Sequence, residues 1–170
     1  FIRYFMWPFV GRQDDIQLTT DGQNNIYLHG GWPSGIDAVD KYFTGPTENL
    51  PSDMTNNRAR NTYFFLPLLL GVLGFIYQAG SNWRNFIVVS LLFVMMGIAL
   101  VVYFNTSPGE PRERDYVYAG AFYAFSIWIG LGVLAIADMF EDVARRLRLK
   151  VPSAAMFTVI LTLVLTSSVP

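Results

Sequence analysis

The part of the chain richest in chemically useful side chains runs from residue 108 to residue 116. Five charged residues fall within six positions there, and Arg112 and Arg114 lie two residues apart, next to Asp115. A guanidinium group offers paired N–H donors that match two phosphate oxygens, and a helix N-terminus adds partial positive charge. The spacing therefore predicts a phosphate or pyrophosphate site, with Asp115 capping the helix or orienting an arginine. A salt-bridge cluster that anchors the following helix explains the same spacing equally well.

Other residues with catalytic or metal-binding potential are sparse. Asp14 and Asp15 are candidates for a base or a metal site, although no second ligand group follows at a recognisable spacing and a solvated turn is the alternative. His29 is the sole histidine and the chain has no cysteine. These counts exclude HExxH zinc sites, which need two histidines, and also thiol nucleophiles and disulfides within this sequence.

The amino-acid composition indicates which class of protein contains this predicted site. Of the 170 residues, 52% are hydrophobic and only 15% are charged, whereas soluble domains carry about 25% charged residues. The formal net charge of -1 argues against a nucleic-acid partner, which requires clustered basic residues. The composition favours a membrane protein.

Long uncharged stretches sharpen that prediction. There are four of them, each 20 to 25 residues long, at 61–83, 85–109, 116–137 and 151–170. About 20 helical residues cross a hydrocarbon core of about 30 Å. Core helices of a large soluble protein are the alternative, but they seldom contain so many consecutive apolar residues. We predict an all-α integral membrane protein with about four transmembrane helices, at approximately 62–80, 86–104, 116–137 and 152–168.

The domain organisation follows from the same pattern. Residues 61–170 form the predicted transmembrane region, and residues 1–60 form an extramembrane loop segment. The first ten residues are apolar and aromatic but too short to span, which fits the tail of an upstream helix. Turn signals then dominate, with one short helix expected near residues 36–43. The absence of an initial Met and of a leader predicts an internal fragment.

Topology follows partly from parity. Two spans separate residues 1–60 from the loop at 105–115, so both must lie on one side of the membrane. The segment 138–151 lies on the other side, where apolar residues at helical spacing adjoin four basic ones: Met139, Phe140, Val143 and Leu147 beside Arg145, Arg146, Arg148 and Lys150. This pattern predicts a basic interfacial helix on an anionic cytoplasmic leaflet. Residues 1–60 and 105–115 are then expected to face outward.

Small residues indicate where the third span packs. Gly120 and Ala124 are four residues apart, as are Ser126 and Gly130. This spacing allows helix backbones to approach closely in lipid. We therefore expect these two pairs to lie at helix contacts.

Several strings together resemble a known family. They are Arg112-Glu113-Arg114-Asp115-Tyr116, Tyr118-Ala119-Gly120, the run from Phe122 to Val133, Arg3-Tyr4-Phe5-Met6-Trp7, Gly11-Arg12-Gln13, Ser34-Gly35-Ile36 and the run from Phe64 to Gly71. In their order along the chain they resemble the bacterial multi-pass membrane family called domain of unknown function 2723, which is related to the transmembrane-protein-260 O-mannosyltransferases. The similarity extends to about residue 137.

The resemblance implies a GT-C-type glycosyltransferase. Such an enzyme takes a sugar from a polyprenyl-phosphate donor at the outer membrane face and transfers it to a Ser or Thr hydroxyl. The candidate phosphate-binding residues are then Arg112, Arg114, Asp115 and Tyr116. The family's acidic base usually lies in a first outward loop, which is expected outside this sequence. No catalytic base is therefore assigned, and Asp14, Asp15 and Asp115 are reserve candidates.

The implied partners are membrane lipids, the lipid-linked sugar as co-substrate and an acceptor protein. The resemblance implies no further cofactor and leaves a divalent metal unassigned; the expected location is the bacterial inner membrane. A non-enzymatic scaffold or lipid-handling subunit is the alternative, with the arginines only anchoring headgroups. The predicted spans contain no ionisable side chain, which argues against an ion pathway.

Overall fold

The computed structural model describes residues 1–13, 19–20, 26–27, 31–43, 56–104 and 115–146. Most of these residues are helical, as the composition predicts. The chain divides into two compact units. The first comprises Phe1–Leu66 and Leu92–Phe122, and the second comprises Pro67–Leu91 and Tyr123–Pro170.

The described elements occur in the following order along the chain. They are α1 (Ile2–Phe9), β1 (Gly11–Arg12), β2 (Thr19–Thr20), β3 (Ile26–Tyr27), α2 (Asp37–Phe43), β4 (Asn61–Thr62), α3 (Leu66–Ser81), α4 (Trp83–Met96), α5 (Ile98–Phe104), a 3₁₀ turn (Asp115–Tyr118) and α6 (Ala119–Arg146). Helix α2 confirms the short helix expected near residues 36–43. The strands are two-residue pairs, so the all-α prediction misses only these short pairings among the described residues.

Two antiparallel pairings organise the first unit. Strand β1 pairs with β4, with Gly11 opposite Thr62, and β2 pairs with β3. Gly11 adopts a φ of 155°, and a Cβ at this position would lie 2.2 Å from the Pro33 carbonyl oxygen. Only glycine therefore allows this close approach of three backbone segments.

Aromatic packing holds α1 inside the first unit. The Phe5 ring lies 5.7 Å from Phe93, and the Phe9 ring lies 6.1 Å from Phe122. Both are edge-on contacts, the geometry that aromatic quadrupoles prefer. The apolar first residues thus form a short packed helix.

The second unit is built on a close crossing of α3 and α6. A Cβ at Gly74 would lie 1.8 Å from the Trp128 carbonyl oxygen, and one at Gly132 would lie 2.1 Å from the Leu70 carbonyl oxygen. The backbones of α3 and α6 are therefore in direct contact. Beside this crossing, the buried Trp128 Nε1 donates a hydrogen bond of 2.7 Å to Gln78 Oε1, which satisfies both polar groups in an apolar setting.

The expected packing stripe is only partly correct. Gly120 contacts Met96 and Ala124 is buried, as expected for a close approach. Ser126 and Gly130 lie on an exposed face instead, and nothing lies within 4 Å of a Cβ placed at Gly130.

Among the residues that the structure describes, two helical stretches are long and apolar enough to cross a membrane. They are Trp83–Phe104, which joins α4 and α5, and Tyr116–Val143. Only 6% and 33% of their apolar windows are buried, respectively. A core helix of a soluble protein would be mostly buried, so these exposed apolar surfaces indicate a lipid environment.

The other predicted spans have different outcomes. Helix α3 has 16 residues, about 24 Å at 1.5 Å per residue, and is shorter than the predicted 62–80 span at its start. The reason is that residues 61 and 62 pair with β1 instead of entering a helix. The predicted span at 152–168 lies outside the described residues.

The prediction of a separate basic helix beginning at residue 138 is wrong for residues 138–146. Helix α6 continues through Arg146 without a break. No glycine or proline interrupts this stretch, and Glu141 and Arg145 form an ion pair across one helical turn. The charged end is thus an extension of the third predicted span.

Candidate functional site

The predicted phosphate-binding segment leads directly into the longest helix. Asp115 begins the 3₁₀ turn, and the Tyr116 side chain is exposed. Arg112 and Arg114 lie outside the described residues. The reserve candidates Asp14 and Asp15 and the single histidine, His29, also lie outside them.

Tyr118 fixes this turn to the first helix. Its ring is buried, stacks on Tyr4 at 5.9 Å and meets Phe1 edge-on at 5.4 Å. The start of α6, and with it the residue that follows Arg114, is therefore positioned by aromatic contacts to α1.

Two further arginines lie in this unit, around the buried Trp7. The Arg12 guanidinium carbon is 4.2 Å from the centre of the Trp7 ring, and the Arg3 guanidinium carbon is 5.0 Å from it. Both distances are within cation–π range. Both guanidinium groups therefore lie close to the same Trp7 ring. Neither arginine is among the residues predicted from sequence to form the site, although the spacing of Arg3 and Trp7, one helical turn apart, is a recognisable signal.

Hydrogen bonds also attach Gly31 to the region around Trp7. The Gln13 backbone N–H donates to the Gly31 carbonyl oxygen at 3.2 Å, and the Gly31 N–H donates to Gln13 Oε1 at 2.9 Å. Trp7 Nε1 also donates to the Gly31 carbonyl oxygen, at 3.3 Å. Gly31 is thereby held to Trp7 of α1 and to Gln13, the residue that follows β1.

A buried carboxylate organises the turn before α2. Asp40 Oδ1 accepts hydrogen bonds from the Ser34 backbone N–H and hydroxyl, both at 2.7 Å, and Oδ2 accepts one from the Gly35 N–H at 2.9 Å. The Ser34 hydroxyl oxygen accepts a further hydrogen bond from the Ile36 N–H at 3.1 Å. Because both carboxylate oxygens are engaged within one turn, Asp40 has a structural role. The spacing of Ser34 and Asp40 is not a recognised motif, so this interaction was not predicted from sequence.

The carboxylate is expected to be necessary for this turn. Asp40→Asn replaces one acceptor oxygen by an NH₂ group that faces an N–H donor. We therefore expect the free energy of unfolding to fall by about 1–3 kcal/mol. Hydrogen exchange at the Ser34 and Gly35 amides should accelerate accordingly. Asp37→Asn is the matched control, since Asp37 is exposed on the same helix. Equal exchange rates in the two variants would contradict the structural role of Asp40.

Other described polar contacts lie in the second unit. The Tyr77 hydroxyl donates a hydrogen bond of 2.6 Å to Asp138 Oδ2. Arg145 Nη2 donates to Glu141 Oε1, and this hydrogen bond raises the pKa of the Arg145 guanidinium above its usual value. Within the part of the chain that the structure describes, no group of three or more Asp, Glu or His side chains is placed to hold a metal ion.

Comparisons with known proteins leave the chain without a match, whether to a family model, a curated protein or a solved structure.

Proposed function

We propose that this chain is part of a polytopic glycosyltransferase of the bacterial cytoplasmic membrane. The enzyme transfers a sugar from a polyprenyl-phosphate donor to Ser or Thr hydroxyls of proteins at the outer face. One observation carries the proposal: the Arg112 to Tyr116 string ends within the anchored turn Asp115–Tyr118, at the start of a stretch long enough to cross a membrane. Its sequence resemblance to the O-mannosyltransferase-related family supplies the reaction.

The reaction forms one bond, breaks another and transfers one proton. The acceptor oxygen forms a bond to the anomeric carbon, and the bond between that carbon and the phosphate oxygen breaks. The phosphate leaves with the electron pair, and the hydroxyl proton passes to a base that is unassigned in this chain. Positive charge near the leaving oxygen lowers the barrier because negative charge develops there.

Arg112 and Arg114 suit the leaving phosphate. Each guanidinium offers two parallel N–H donors, and the start of α6 adds the partial positive charge of its first backbone N–H groups. Arg3 and Arg12 belong to the same unit and add positive potential to it. Asp115 and Tyr116 complete the proposed site, with Asp115 orienting an arginine or capping the turn.

The test uses the intact protein purified into vesicles with a synthetic polyprenyl-phosphate sugar and a Ser/Thr-rich peptide. We expect release of polyprenyl phosphate together with a peptide whose mass increases by one sugar residue. Mass spectrometry of outward-facing proteins from a gene-deletion strain should show loss of the same modification. An unmodified peptide in the purified assay, with each of several donor sugars, would refute the transferase and favour the scaffold or lipid-handling alternative.

A further inference from the structure

The first unit exposes a group of large apolar side chains around α2. Tyr42 is 82% exposed, Phe43 is 62% exposed and Phe64 is 53% exposed, and Ile36 is also exposed. We call these four residues the aromatic patch. Burying such side chains is worth about 1.5–3 kcal/mol each, so four of them left in water together are unfavourable.

Two half-buried rings, those of Trp32 and Phe65, lie next to the aromatic patch. Trp32 lies 5.2 Å from Phe43 and 6.2 Å from Phe65, measured between ring centres. The Phe64 ring packs against Gly35, where an added Cβ would lie 2.8 Å from it. The patch is therefore a packed surface.

Its connection to α3 places the patch at the start of an apolar helix. Phe65 directly precedes Leu66, the first residue of α3. Leu69 and Ile76 of this helix are exposed apolar residues, which a bilayer would cover. Trp32 contacts Phe65 and Phe43 contacts Trp32, so both rings are connected to the residue that precedes α3.

A second chain of contacts leads from Trp32 to the turn before α6. Trp32 follows Gly31, whose carbonyl oxygen accepts the hydrogen bond from Trp7. The Trp7 ring meets Tyr4 edge-on at 5.2 Å, and Tyr4 stacks on Tyr118. Tyr118 lies two residues after the start of the second stretch that is long and apolar enough to cross a membrane. Ring contacts and one hydrogen bond therefore connect the residue before α3 with the turn before α6.

From this placement we propose that the aromatic patch lies in the headgroup region of the lipid bilayer and holds α2 against the membrane surface. Tyr and Phe rings beside Trp are the side chains that occupy this level, where an apolar ring and a polar tip are both accommodated. Lys41, exposed on α2, is compatible with contact to lipid phosphates. The inference does not depend on the glycosyltransferase reaction.

Because the chain contains no cysteine, single labels can be placed without background. Tyr42→Cys and Phe64→Cys each carry a nitroxide, and the protein is reconstituted in vesicles of phosphatidylethanolamine and phosphatidylglycerol. Asp37→Cys, exposed on α2 outside the patch, is the matched control. Collisions of the nitroxide with oxygen, which concentrates in lipid, are compared with collisions with a water-soluble nickel chelate.

We expect the oxygen-to-nickel collision ratio at Tyr42 and Phe64 to exceed that at Asp37 by about threefold, as for residues at the acyl boundary. Thermal unfolding of each variant confirms that the label leaves the fold intact. Equal ratios at the three positions would overturn the proposal because the patch would then be in water. A fall in collisions with both reagents at Tyr42 would also overturn it, since a protein surface would then cover the patch.

Discussion

Replacing Gly74 by valine is expected to destabilise the protein by about 3 kcal/mol or more, at or above the upper end of the usual overpacking range. A Cβ at Gly74 would lie 1.8 Å from the Trp128 carbonyl oxygen and 2.6 Å from the Gly132 nitrogen. These are backbone atoms of α6, which no rotamer change can move away. The variant must therefore separate α3 from α6 and lose the buried hydrogen bond between Gln78 and Trp128.

Thermal unfolding of the detergent-solubilised protein, followed by tryptophan fluorescence, measures this loss. Gly80→Val is the matched control on α3, and Gly130→Val is the control on α6, because nothing lies within 4 Å of a Cβ at either position. Both controls should unfold within about 0.5 kcal/mol of the unaltered protein, since valine is no worse than glycine in a helix. If Gly74→Val unfolds at the same temperature as Gly80→Val, the close crossing is wrong.

This crossing illustrates what sequence patterns reveal about membrane helices. Small residues at i,i+4 spacing identify faces that can approach a neighbour, and Gly120 with Ala124 was found in this way. The pattern carries no information about which neighbour is present. Gly74 and Gly132 meet because the fold brings α3 to α6, and a single sequence contains no signal for that pairing.

Helix boundaries were predictable where local chemistry sets them. The short α2 and the long apolar stretches follow from turn residues and hydropathy. The start of α3 was not predictable, because residues 61 and 62 pair with β1 about fifty residues earlier. Local patterning also placed a boundary near Asp138, where charge begins, although charged residues with good helix propensity simply extend α6.

In the candidate site, too, local features were predictable from the sequence and long-range contacts were not. The Arg112 to Asp115 cluster is visible in sequence because its charges are adjacent. Arg3 and Trp7 are one helical turn apart in α1, which the sequence shows, whereas the position of Arg12 at the same ring depends on the fold of the β1 segment. The resemblance to the glycosyltransferase family supplies a reaction but does not distinguish phosphate binding from membrane anchoring at Arg112 and Arg114.

Arg114→Lys distinguishes these two roles and, under the proposed function, should reduce sugar transfer about 10- to 100-fold, the equivalent of one charge-assisted hydrogen-bond pair of about 1.5–3 kcal/mol. Lysine retains the positive charge but cannot donate two parallel hydrogen bonds to a phosphate. An arginine that only anchors headgroups should tolerate the exchange. Arg58→Lys is the matched control, because Arg58 is an exposed arginine of the same unit outside the proposed site.

The kinetic constants separate the roles further. An arginine that binds the phosphate equally in the donor and in the transition state should raise KM when it is replaced and leave kcat unchanged. An arginine that stabilises the departing phosphate should lower kcat, because negative charge on the leaving oxygen increases as the bond to the sugar breaks. We expect the second result for Arg114→Lys, measured as polyprenyl phosphate released in vesicles at saturating donor. Unchanged kcat and KM in Arg114→Lys, with the same result in Arg114→Ala, would remove the arginine from the reaction and leave it as a membrane anchor.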